Sequence, residues 1–385
     1  MNGDLKANVK SLLKKHHFLY LVYYGVMSTL LKIIGLSVKT DKHLILFVSF
    51  GGRRCTDSPK AIYEFMRNDP RFAGFKLVWG FVNPNEFPEI EQKVKMDTLK
   101  YYSTSLKAGC WITNVAIERG LSYKKDNTFY LYTGHGSPIK KGGKEVKYNN
   151  TFRSVAKSSA DAYLAQSEFE KAIRGRGQKT VYMTGIPTND ILSNHDSCYR
   201  DQIRKELGIN GDKKAILYAP TFREYSHLGA VDMPDVDFNM WHQLLGDDFV
   251  ILYRAHPESD KKSYKGQDWF IDVTKWESIE PLMIASDLLI SDYSGLITDY
   301  SIMHKPIYLW TYDYYQYEST RGLYFDVRKV LPYAEKEETL LSMIKDGYSP
   351  KQKEMLYEFQ KEYATVYGSA THKVVDLLFN KITGQ

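Results

Sequence analysis

Cysteine is scarce in this sequence, and its spacing excludes two kinds of site. The three cysteines, Cys55, Cys110 and Cys198, are far apart and odd in number. They offer neither a disulfide framework nor the paired spacing of a zinc site, so we expect a reducing, cytosolic environment. Zinc-finger, basic-zipper and RNP-type motifs are missing as well, and a formal net charge of +6 is too small to indicate nucleic-acid binding.

The apolar run near the N-terminus is too short to predict a membrane span. Residues 18–31 carry no charge over 14 positions, whereas a helix needs roughly 20 to cross a bilayer. Four lysines within residues 6–15 precede the run, and no small-residue cleavage site of the signal-peptide type follows it. We therefore predict that residues 1–40 form an amphipathic helix in the inner-leaflet interface, with lysines on lipid phosphates. The alternative is a helix packed on the protein's own core.

Length and composition fit an ordinary globular protein of about two domains. The 385 residues are 43% hydrophobic and 25% charged, which is typical of such proteins. The mild basic excess suits a phosphate-rich substrate or an anionic membrane. Thirty tyrosines suit surfaces that are partly apolar and partly wet, such as a polyol site or a membrane interface.

Strands and helices alternate in the first half, which predicts a doubly wound α/β domain over residues 41–188. We predict strands at 43–50, 75–82, 111–114 and 129–132. In such domains, ligand groups lie at the carboxyl ends of the strands. The candidate residues at those ends are Arg53, Asp57, Asn114, Gly136 and Ser137, with His135 among them.

A second α/β domain is predicted over residues 189–349, and each of its strands ends in a polar or basic loop. The predicted strands are 215–218, 249–253, 288–290 and 307–309. The loop residues of interest are Pro220, Thr221, Arg223, Arg254, His256, Ser291, Asp292, Ser294 and Gly295. Residues 350–385 have a helical pattern and are predicted to pack back on the first domain.

Residues 288–310 form the most informative single stretch. A short apolar run is followed by small polar residues, and from Leu296 the apolar positions take helical spacing until Lys305-Pro306. This predicts a strand, a tight loop, a helix and a second strand. The free N–H groups and the dipole at the start of that helix suit a phosphate. The alternative is that Ser294 only caps the helix.

Two histidine motifs follow predicted strands. His135 has glycines on both sides, which bring the backbone close to a ligand and leave the imidazole open to take a proton from a hydroxyl. The alternative is a histidine that only hydrogen-bonds its turn. Arg254 and His256, two residues apart, point to one side and suit a phosphoryl group. A short acidic motif at residues 235–237 lacks a preceding strong strand, so we predict no metal site.

Taken together, these motifs resemble the CDP-glycerol glycerophosphotransferase family of teichoic-acid synthesis. Residues 45–63 are similar to that family's first strand and acceptor loop, and residues 133–141 to its His-Gly-Thr-Pro motif. Residues 185–190 resemble its Gly-x-Pro-Arg-x-Asp element. The stretches that complete the series are 216–223, 254–257, 290–308 and 312–326. The order and spacing of so many elements are more specific than any one of them.

The sequence departs from the family pattern at three positions. Ser137 replaces the usual threonine, Gly134 stands where a tryptophan is common, and Thr188 replaces an arginine. The change at position 134 would widen or loosen one wall of the site. Together, the changes at positions 134 and 188 leave the identity of donor and acceptor open.

The resemblance implies the GT-B arrangement, in which two Rossmann-like domains face each other across a cleft. It implies that His135 is the general base for an acceptor hydroxyl, which attacks the β-phosphorus of a CDP-activated polyol phosphate and releases CMP. Arg254 and His256 would stabilise the transferring phosphate, and Ser294 with Gly295 would cradle the pyrophosphate. It assigns Pro220, Thr221, Arg223, Ser291 and Asp292 to the donor, and Asp299, Gly136, Ser137, Arg53, Asp57, Asn114 and Arg321 to polyol or acceptor.

The resemblance also implies the partners. We expect a CDP-polyol donor, an undecaprenyl-linked saccharide or polyol-phosphate acceptor, and an anionic membrane at the cytoplasmic face, with no cofactor and no nucleic acid. Glycerol phosphate is the expected cargo, and ribitol phosphate is the alternative. Two other readings are a nucleotide-sugar glycosyltransferase of the same architecture and a membrane-surface binding protein with an inactive site.

Overall fold

Two parallel β-sheets, each covered by helices, lie in separate halves of the chain. This confirms the predicted pair of Rossmann-like α/β units in a GT-B-like arrangement. The computed structural model describes residues 16–142, 145–146, 159–177, 179–223, 234, 236–254, 264 and 266–384. His256, Asp235 and the four lysines of residues 6–15 lie outside the described residues.

The first sheet has seven strands in the order β3-β2-β1-β4-β5-β6-β7, and each described pairing is parallel. Its central strands bury continuous apolar runs, including Ile45, Phe47 and Trp111, because helices cover both faces of a parallel sheet. The strands are β1 (Asp41–Val48), β2 (Lys76–Phe81), β3 (Lys93–Lys95), β4 (Ala108–Thr113), β5 (Phe129–Tyr132), β6 (Ala162–Leu164) and β7 (Thr180–Tyr182).

The second sheet has six parallel strands in the order β10-β9-β8-β11-β12-β13. They are β8 (Lys214–Tyr218), β9 (Phe249–Tyr253), β10 (Phe270–Asp272), β11 (Leu288–Ser291), β12 (Ile307–Trp310) and β13 (Tyr333–Ala334). All the predicted strands are present. The outer strands β3, β6, β7, β10 and β13 were missed, because two or three residues are too few to show a period.

Thirteen helices fall within the described residues, and several 3₁₀ turns join the elements. The helices are α1 (His17–Ser37), α2 (Asp57–Asn68), α3 (Leu99–Lys107), α4 (Glu168–Arg174), α5 (Asp190–Asn194), α6 (Ser197–Glu206), α7 (Phe238–Leu245), α8 (Glu280–Ala285), α9 (Leu296–Ser301), α10 (Tyr314–Thr320), α11 (Glu337–Asp346), α12 (Pro350–Tyr363) and α13 (Ala370–Thr383). The 3₁₀ turns are Phe50–Gly52, Pro70–Phe72, Pro84–Glu86, Pro187–Asn189 and Val327–Lys329.

The two C-terminal helices connect the halves. Val374 and Leu378 of α13 lie in the core of the first sheet, whereas Leu356 and Phe359 of α12 lie in the core of the second. A capping box at Ser349 starts α12, since its hydroxyl and the side chain three residues on satisfy two free backbone N–H groups. The chain therefore crosses back to the first half after finishing the second.

Helix α1 lies on the first half through a stripe of residues at helical spacing. Tyr20, Ser28 and Leu31 are buried, and the Ser28 hydroxyl accepts a hydrogen bond from the backbone N–H of Ser122 at 3.0 Å. Gly35 lies where an added Cβ would be 3.2 Å from Leu106. One face of the helix is thus fixed to the protein along its length.

The outer face of α1 is apolar and exposed. Phe18, Val26 and Leu36 are 73%, 61% and 89% exposed. The helix continues past Lys32, so it is longer than the uncharged run, and Phe18–Ser37 is long and apolar enough to cross a membrane by length and composition. An exposed apolar face of this kind is typical of a protein–protein or membrane interaction site.

Candidate active site

The exposed ring of His135 lies in the loop after β5, between two glycines. Its Nδ1 is 2.8 Å from the backbone carbonyl oxygen of Asn114. Because a carbonyl oxygen only accepts, Nδ1 carries the proton, and Nε2 keeps a lone pair that can take a proton from a hydroxyl. Gly134 and Gly136 have φ of +74° and +112°, a backbone conformation that other residues adopt only with strain.

Buried Asn114 joins His135 to a strained aspartate. The Asn114 side chain accepts from the backbone N–H of Phe50 at 2.8 Å and donates to the Asp57 carboxylate at 2.8 Å. Asp57 has φ of +65°, which is costly for a residue with a side chain. Burial raises the pKa of Asp57, and the neighbouring His135 opposes that rise. Asp57 is therefore close enough to stabilise a positive charge on the imidazole.

Arg174 fills the space beside Gly134. A Cβ on Gly134 would lie 2.4 Å from an Arg174 guanidinium nitrogen. That guanidinium donates to the carbonyl oxygen of Gly136 at 3.0 Å and to the carboxylate of Glu170, which is 1% exposed, at 2.7 Å. The sequence predicted a looser wall at position 134. In the structure, Arg174 of helix α4 fills that space and holds the histidine loop.

The histidine loop contacts the second half of the chain at Gly295. A Cβ there would be 2.5 Å from the carbonyl oxygen of Ser137 and 2.8 Å from its nitrogen, so only glycine permits this approach. The neighbouring Ser294 hydroxyl accepts from the backbone N–H of Leu296 at 3.3 Å. The histidine loop and the start of α9 are therefore in direct contact.

The same loop is anchored further along. Ile139 is 1% exposed and belongs to the hydrophobic core of the second sheet. The backbone N–H of Lys141 donates to the carbonyl oxygen of Gly322 at 3.0 Å, and that of Tyr324 donates to the carbonyl oxygen of Ile139 at 2.9 Å. Arg321, a predicted acceptor residue, precedes this pairing segment. The loop of the first half is thus built into the second.

Asp299 lies at the centre of a buried hydrogen-bond cluster between the halves. Its carboxylate accepts from the side-chain amides of Gln166 at 3.0 Å and Asn189 at 2.7 Å. The same Gln166 nitrogen donates to the Ser137 hydroxyl at 2.8 Å. Burial raises the pKa of Asp299 to about 7. Asp299 therefore supports the histidine loop through Gln166.

Thr188, which is also a departure from the family pattern, contacts Glu280 at the start of α8. The Thr188 hydroxyl donates to the Glu280 carboxylate at 2.7 Å. Burial raises the pKa of Glu280, and the charge of Asp57 adds to the rise. A neutral hydroxyl thus faces this carboxylate.

Arg223 and Asp292 pair with each other in the interior. Arg223 is 1% exposed, and its guanidinium lies 2.9 Å from the carboxylate of Asp292 and 2.7 Å from that of Asp313. The rings of Tyr293, Tyr312 and Tyr317 surround it at 5.2–5.3 Å. These predicted donor residues therefore hold the loops after β8, β11 and β12 together.

The other donor candidates after β8 and β11 also bond to one another. The backbone N–H of Thr221 donates to Asp292 at 3.0 Å, and the Ser291 hydroxyl donates to the carbonyl oxygen of Ala219 at 2.8 Å. Pro220, between them, is partly exposed. This network fixes the loop shape at the carboxyl edge of the second sheet.

Half-buried Arg254 directly follows β9. Its guanidinium donates to the backbone carbonyl oxygens of Trp276 at 2.9 Å and Val273 at 3.3 Å. Burial, together with the positive charge of Arg54, lowers the pKa of Arg254 to about 10. Arg53, in contrast, is exposed. In the described part of the chain, no group of three or more His, Cys, Asp or Glu side chains is arranged to hold a metal ion.

The structure therefore gathers six of the predicted residues into two groups around the histidine loop and adds others. His135, Asn114 and Asp57 form one group, and Ser137, Gly295 and Asp299 the other. The residues that the sequence did not reveal are Gln166, Arg174, Asn189 and Glu280. Asn189 lies inside the recognised 185–190 motif and could have been noticed there, whereas Gln166 follows a three-residue strand that gives no signal.

A family match covers nearly the whole chain. The family described as CDP-glycerol:poly(glycerophosphate) glycerophosphotransferase matches residues 30–380. Two curated relatives are similar. The teichoic acid poly(glycerol phosphate) polymerase of Staphylococcus epidermidis is 32% identical over 375 residues, which cover 89% of this chain and 51% of that protein. The teichoic acid glycerol-phosphate transferase of Staphylococcus aureus is 31% identical, over 77% of this chain and 81% of that protein.

The chain thus spans about half the length of the Staphylococcus epidermidis polymerase. The similarity extends to solved structures. The wall teichoic acid polymerase TagF superposes with a TM-score of 0.81 at 27% sequence identity, over 98% of this chain and 99% of that one. A variant of TagF soaked with CDPG superposes with a TM-score of 0.80. Fold and family-specific sequence therefore agree over the same residues.

Proposed function

The chain belongs to the CDP-glycerol:poly(glycerophosphate) glycerophosphotransferase family, and from this we propose that it transfers glycerol phosphate from CDP-glycerol to a teichoic-acid acceptor. The acceptor is a hydroxyl of a polyol-phosphate chain or of a saccharide linked to undecaprenyl. CMP is the leaving product. The proposal concerns the activity of this chain itself, which spans about half of the polymerase it matches.

One observation carries the proposal: the histidine with a free Nε2 lies on the loop that touches the start of α9. His135 is exposed and its Nδ1 is engaged, while two residues away Ser137 contacts Gly295. A group on the second half would thus lie beside a base on the first. This arrangement supports transfer between two substrates bound on opposite sides of one cleft.

In the proposed mechanism, His135 acts as the general base. Its Nε2 takes the proton of the acceptor hydroxyl, and the freed oxygen attacks the β-phosphorus of CDP-glycerol. The bond between that phosphorus and the oxygen bridging to the α-phosphate breaks, and CMP leaves with the electron pair. Asp57 stabilises the imidazolium through its charge, and the Asn114 carbonyl holds the ring in one orientation.

The donor phosphates are assigned to the second half. Arg254 and His256 neutralise the transferring phosphoryl group, and Ser294 with Gly295 presents backbone N–H groups to the pyrophosphate. The Ser294 hydroxyl already accepts a hydrogen bond from the backbone N–H of Leu296. The same hydroxyl can also donate a hydrogen bond to a phosphate, because its oxygen accepts while its proton is donated. Asp299 acts indirectly, by fixing Ser137.

Glycerol phosphate is favoured over ribitol phosphate as the transferred group. The two glycerol-phosphate relatives match 89% and 77% of this chain, whereas the ribitol-phosphate polymerase TarL of Staphylococcus aureus matches 50%. A longer shared region supports a shared donor.

Helix α1 is assigned to the inner face of the cell membrane. Its buried stripe is fixed to the first half, and its outer side chains, among them Phe18 and Val26, are free to enter the headgroup zone. The protein would then be peripheral, and its acceptor would reach the cleft from the same surface.

A donor panel tests the proposed function. The protein is incubated with a teichoic-acid primer and CDP-glycerol, CDP-ribitol or a nucleotide sugar, and release of CMP or UDP is measured. We expect CMP from CDP-glycerol, with and without chelator. Release from a nucleotide sugar alone would reject the proposal, and loss of activity that magnesium restores would reject metal-free transfer.

The variant His135→Ala tests the base. We expect its turnover to fall by about 10²- to 10⁴-fold, the usual contribution of a general base, while CDP-glycerol binding survives. Turnover and equilibrium binding are measured on the same preparation. A rate equal to that of the unmodified protein would remove His135 from this role.

A further inference from the structure

Arg54 is a cation of the cleft that the sequence does not distinguish from its exposed neighbour Arg53. It follows β1, and an antiparallel bridge between Ser49 and Arg54 fixes its backbone. Arg53 is exposed, whereas Arg54 is half-buried. The side chain of Arg54 is thus less exposed to solvent than that of Arg53.

Arg54 reaches across the cleft to the segment that Arg254 also contacts. Its Nη1 lies 3.4 Å from the backbone carbonyl oxygen of Glu277. The Arg254 Nη1 is 2.9 Å from the carbonyl oxygen of Trp276. Two guanidinium groups, one from each half of the chain, therefore contact adjacent residues just before α8.

These two positive charges influence each other, and neither has a salt-bridge partner among the described residues. In the described part of the chain, no carboxylate lies within salt-bridge distance of either guanidinium. The Arg54 charge acts unfavourably on Arg254, and the charge of Glu280 only partly offsets it. Like charges in a partly desolvated cleft repel each other, and an anion bound between them removes that cost.

Arg54 is also close to the candidate base. Its guanidinium lies 5.6 Å from the centre of the Phe50 ring, and that ring is 5.9 Å from the ring of His135. A single aromatic side chain thus separates the arginine from the histidine. An anion held by the arginines would thus lie in the same part of the cleft as His135.

We propose that Arg54 and Arg254 form one phosphate-binding site that spans the cleft, and that Arg54 contacts the transferring phosphoryl group from the acceptor side. The inference rests on the proposed function. Each guanidinium presents several N–H donors in a plane, which suits the oxygens of a phosphoryl group. Because the site takes one arginine from each half, it is complete only when the halves are together. A donor then binds fully only beside the base.

Binding of inorganic pyrophosphate to the full chain, measured by calorimetry, tests the site without turnover. We expect Arg54→Ala and Arg254→Ala each to weaken binding by about 10- to 100-fold, the loss expected for a charge-assisted hydrogen bond. The double variant should bind little more weakly than the weaker single one, since both arginines share one ligand. Arg54→Lys should retain part of the affinity.

Arg67→Ala is the matched control, because it removes an exposed positive charge from the following helix. It should bind pyrophosphate like the unmodified protein. Unchanged affinity of Arg54→Ala, strictly additive losses in the double variant, or no pyrophosphate binding to the unmodified protein would each overturn the proposal. Thermal unfolding of each variant shows whether a loss reflects misfolding, and Arg54→Lys provides the folded comparison.

Turnover separates this inference from the proposed function. If CDP-glycerol releases CMP with the unmodified protein and equally fast with Arg54→Ala, the function stands and the role of Arg54 falls. If the unmodified protein turns over no CDP-polyol but binds pyrophosphate through Arg54, the function falls and the site stands. If both are correct, Arg54→Ala lowers turnover and pyrophosphate affinity together.

Discussion

At the residue scale, Arg174 holds the histidine loop through its hydrogen bond to the carbonyl oxygen of Gly136. We expect Arg174→Ala to lower kcat by about 100-fold, since a displacement on the order of 1 Å in a catalytic group can cost that much. It should also lower the free energy of unfolding by about 3–5 kcal/mol, because Glu170 would remain buried without its partner. Steady-state kinetics and denaturant unfolding measure the two effects.

Two comparisons give that result its meaning. Lys171→Ala changes a partly exposed residue of the same helix and should leave kcat unchanged. Added guanidinium should restore part of the turnover of Arg174→Ala, which a general loss of stability would not permit. A normal kcat for Arg174→Ala would show that the loop keeps its place without the arginine.

Asp299 makes the stability of the fold depend on pH. Burial raises its pKa to about 7, whereas an unfolded chain titrates an aspartate at about 3.9. The folded protein therefore binds a proton that the unfolded chain releases, and this contribution is present below about pH 4 and is lost as the pH rises through 7. Between pH 5 and pH 8 we expect the free energy of unfolding to fall.

The variant Asp299→Asn isolates that contribution, because an amide does not titrate. Its free energy of unfolding should decline less over the same pH range, as followed by urea titration at each pH. Parallel curves for the two proteins would contradict the raised pKa of this carboxyl.

At the scale of elements, helix α1 has one face buried against the first half and one apolar face that is exposed. We expect the protein to sediment with vesicles that contain anionic phosphatidylglycerol, and the double variant Val26→Glu/Ile33→Glu to remain in solution. Both side chains are exposed. Each apolar side chain withdrawn from water contributes about 1.5–3 kcal/mol, so two charges should weaken partitioning by roughly 100-fold or more.

Leu244→Glu serves as the control, since Leu244 is an exposed apolar residue on α7, away from α1. It should sediment like the unmodified protein. Equal sedimentation of the α1 double variant would reject this helix as the membrane contact. The point substitutions leave the buried stripe of α1 intact, so the first half keeps its cover.

At the scale of the whole molecule, Ile139 links the histidine loop of the first half to the hydrophobic core of the second sheet. We expect Ile139→Ala to lower the free energy of unfolding by about 2–5 kcal/mol, as a cavity in a packed core does, and to lower kcat as well. Denaturant unfolding and turnover are measured together. Leu244→Ala, at an exposed site, should change neither. A stable variant with lower kcat alone would mean that Ile139 positions the loop without supporting the core.

The sequence predicts the two sheets well because their central strands are long, apolar and fully buried. It also locates His135, Asn114, Gly295 and the loops around them, since each follows such a strand. It does not predict contacts between distant positions. The bond from Gln166 to Asp299 joins residues 133 positions apart, and no local pattern marks Gln166. Arg223 has the charge of a phosphate ligand, and only the fold reveals that its partners are carboxylates.

The contact between Ser137 and Gly295 also determines how the cleft can open. Ile139, two residues further on, cannot leave the second core without exposing its side chain to water, so the halves stay joined at this point. A rotation of one half against the other is therefore restricted beside His135. The contact thus keeps the candidate base and the start of α9 side by side.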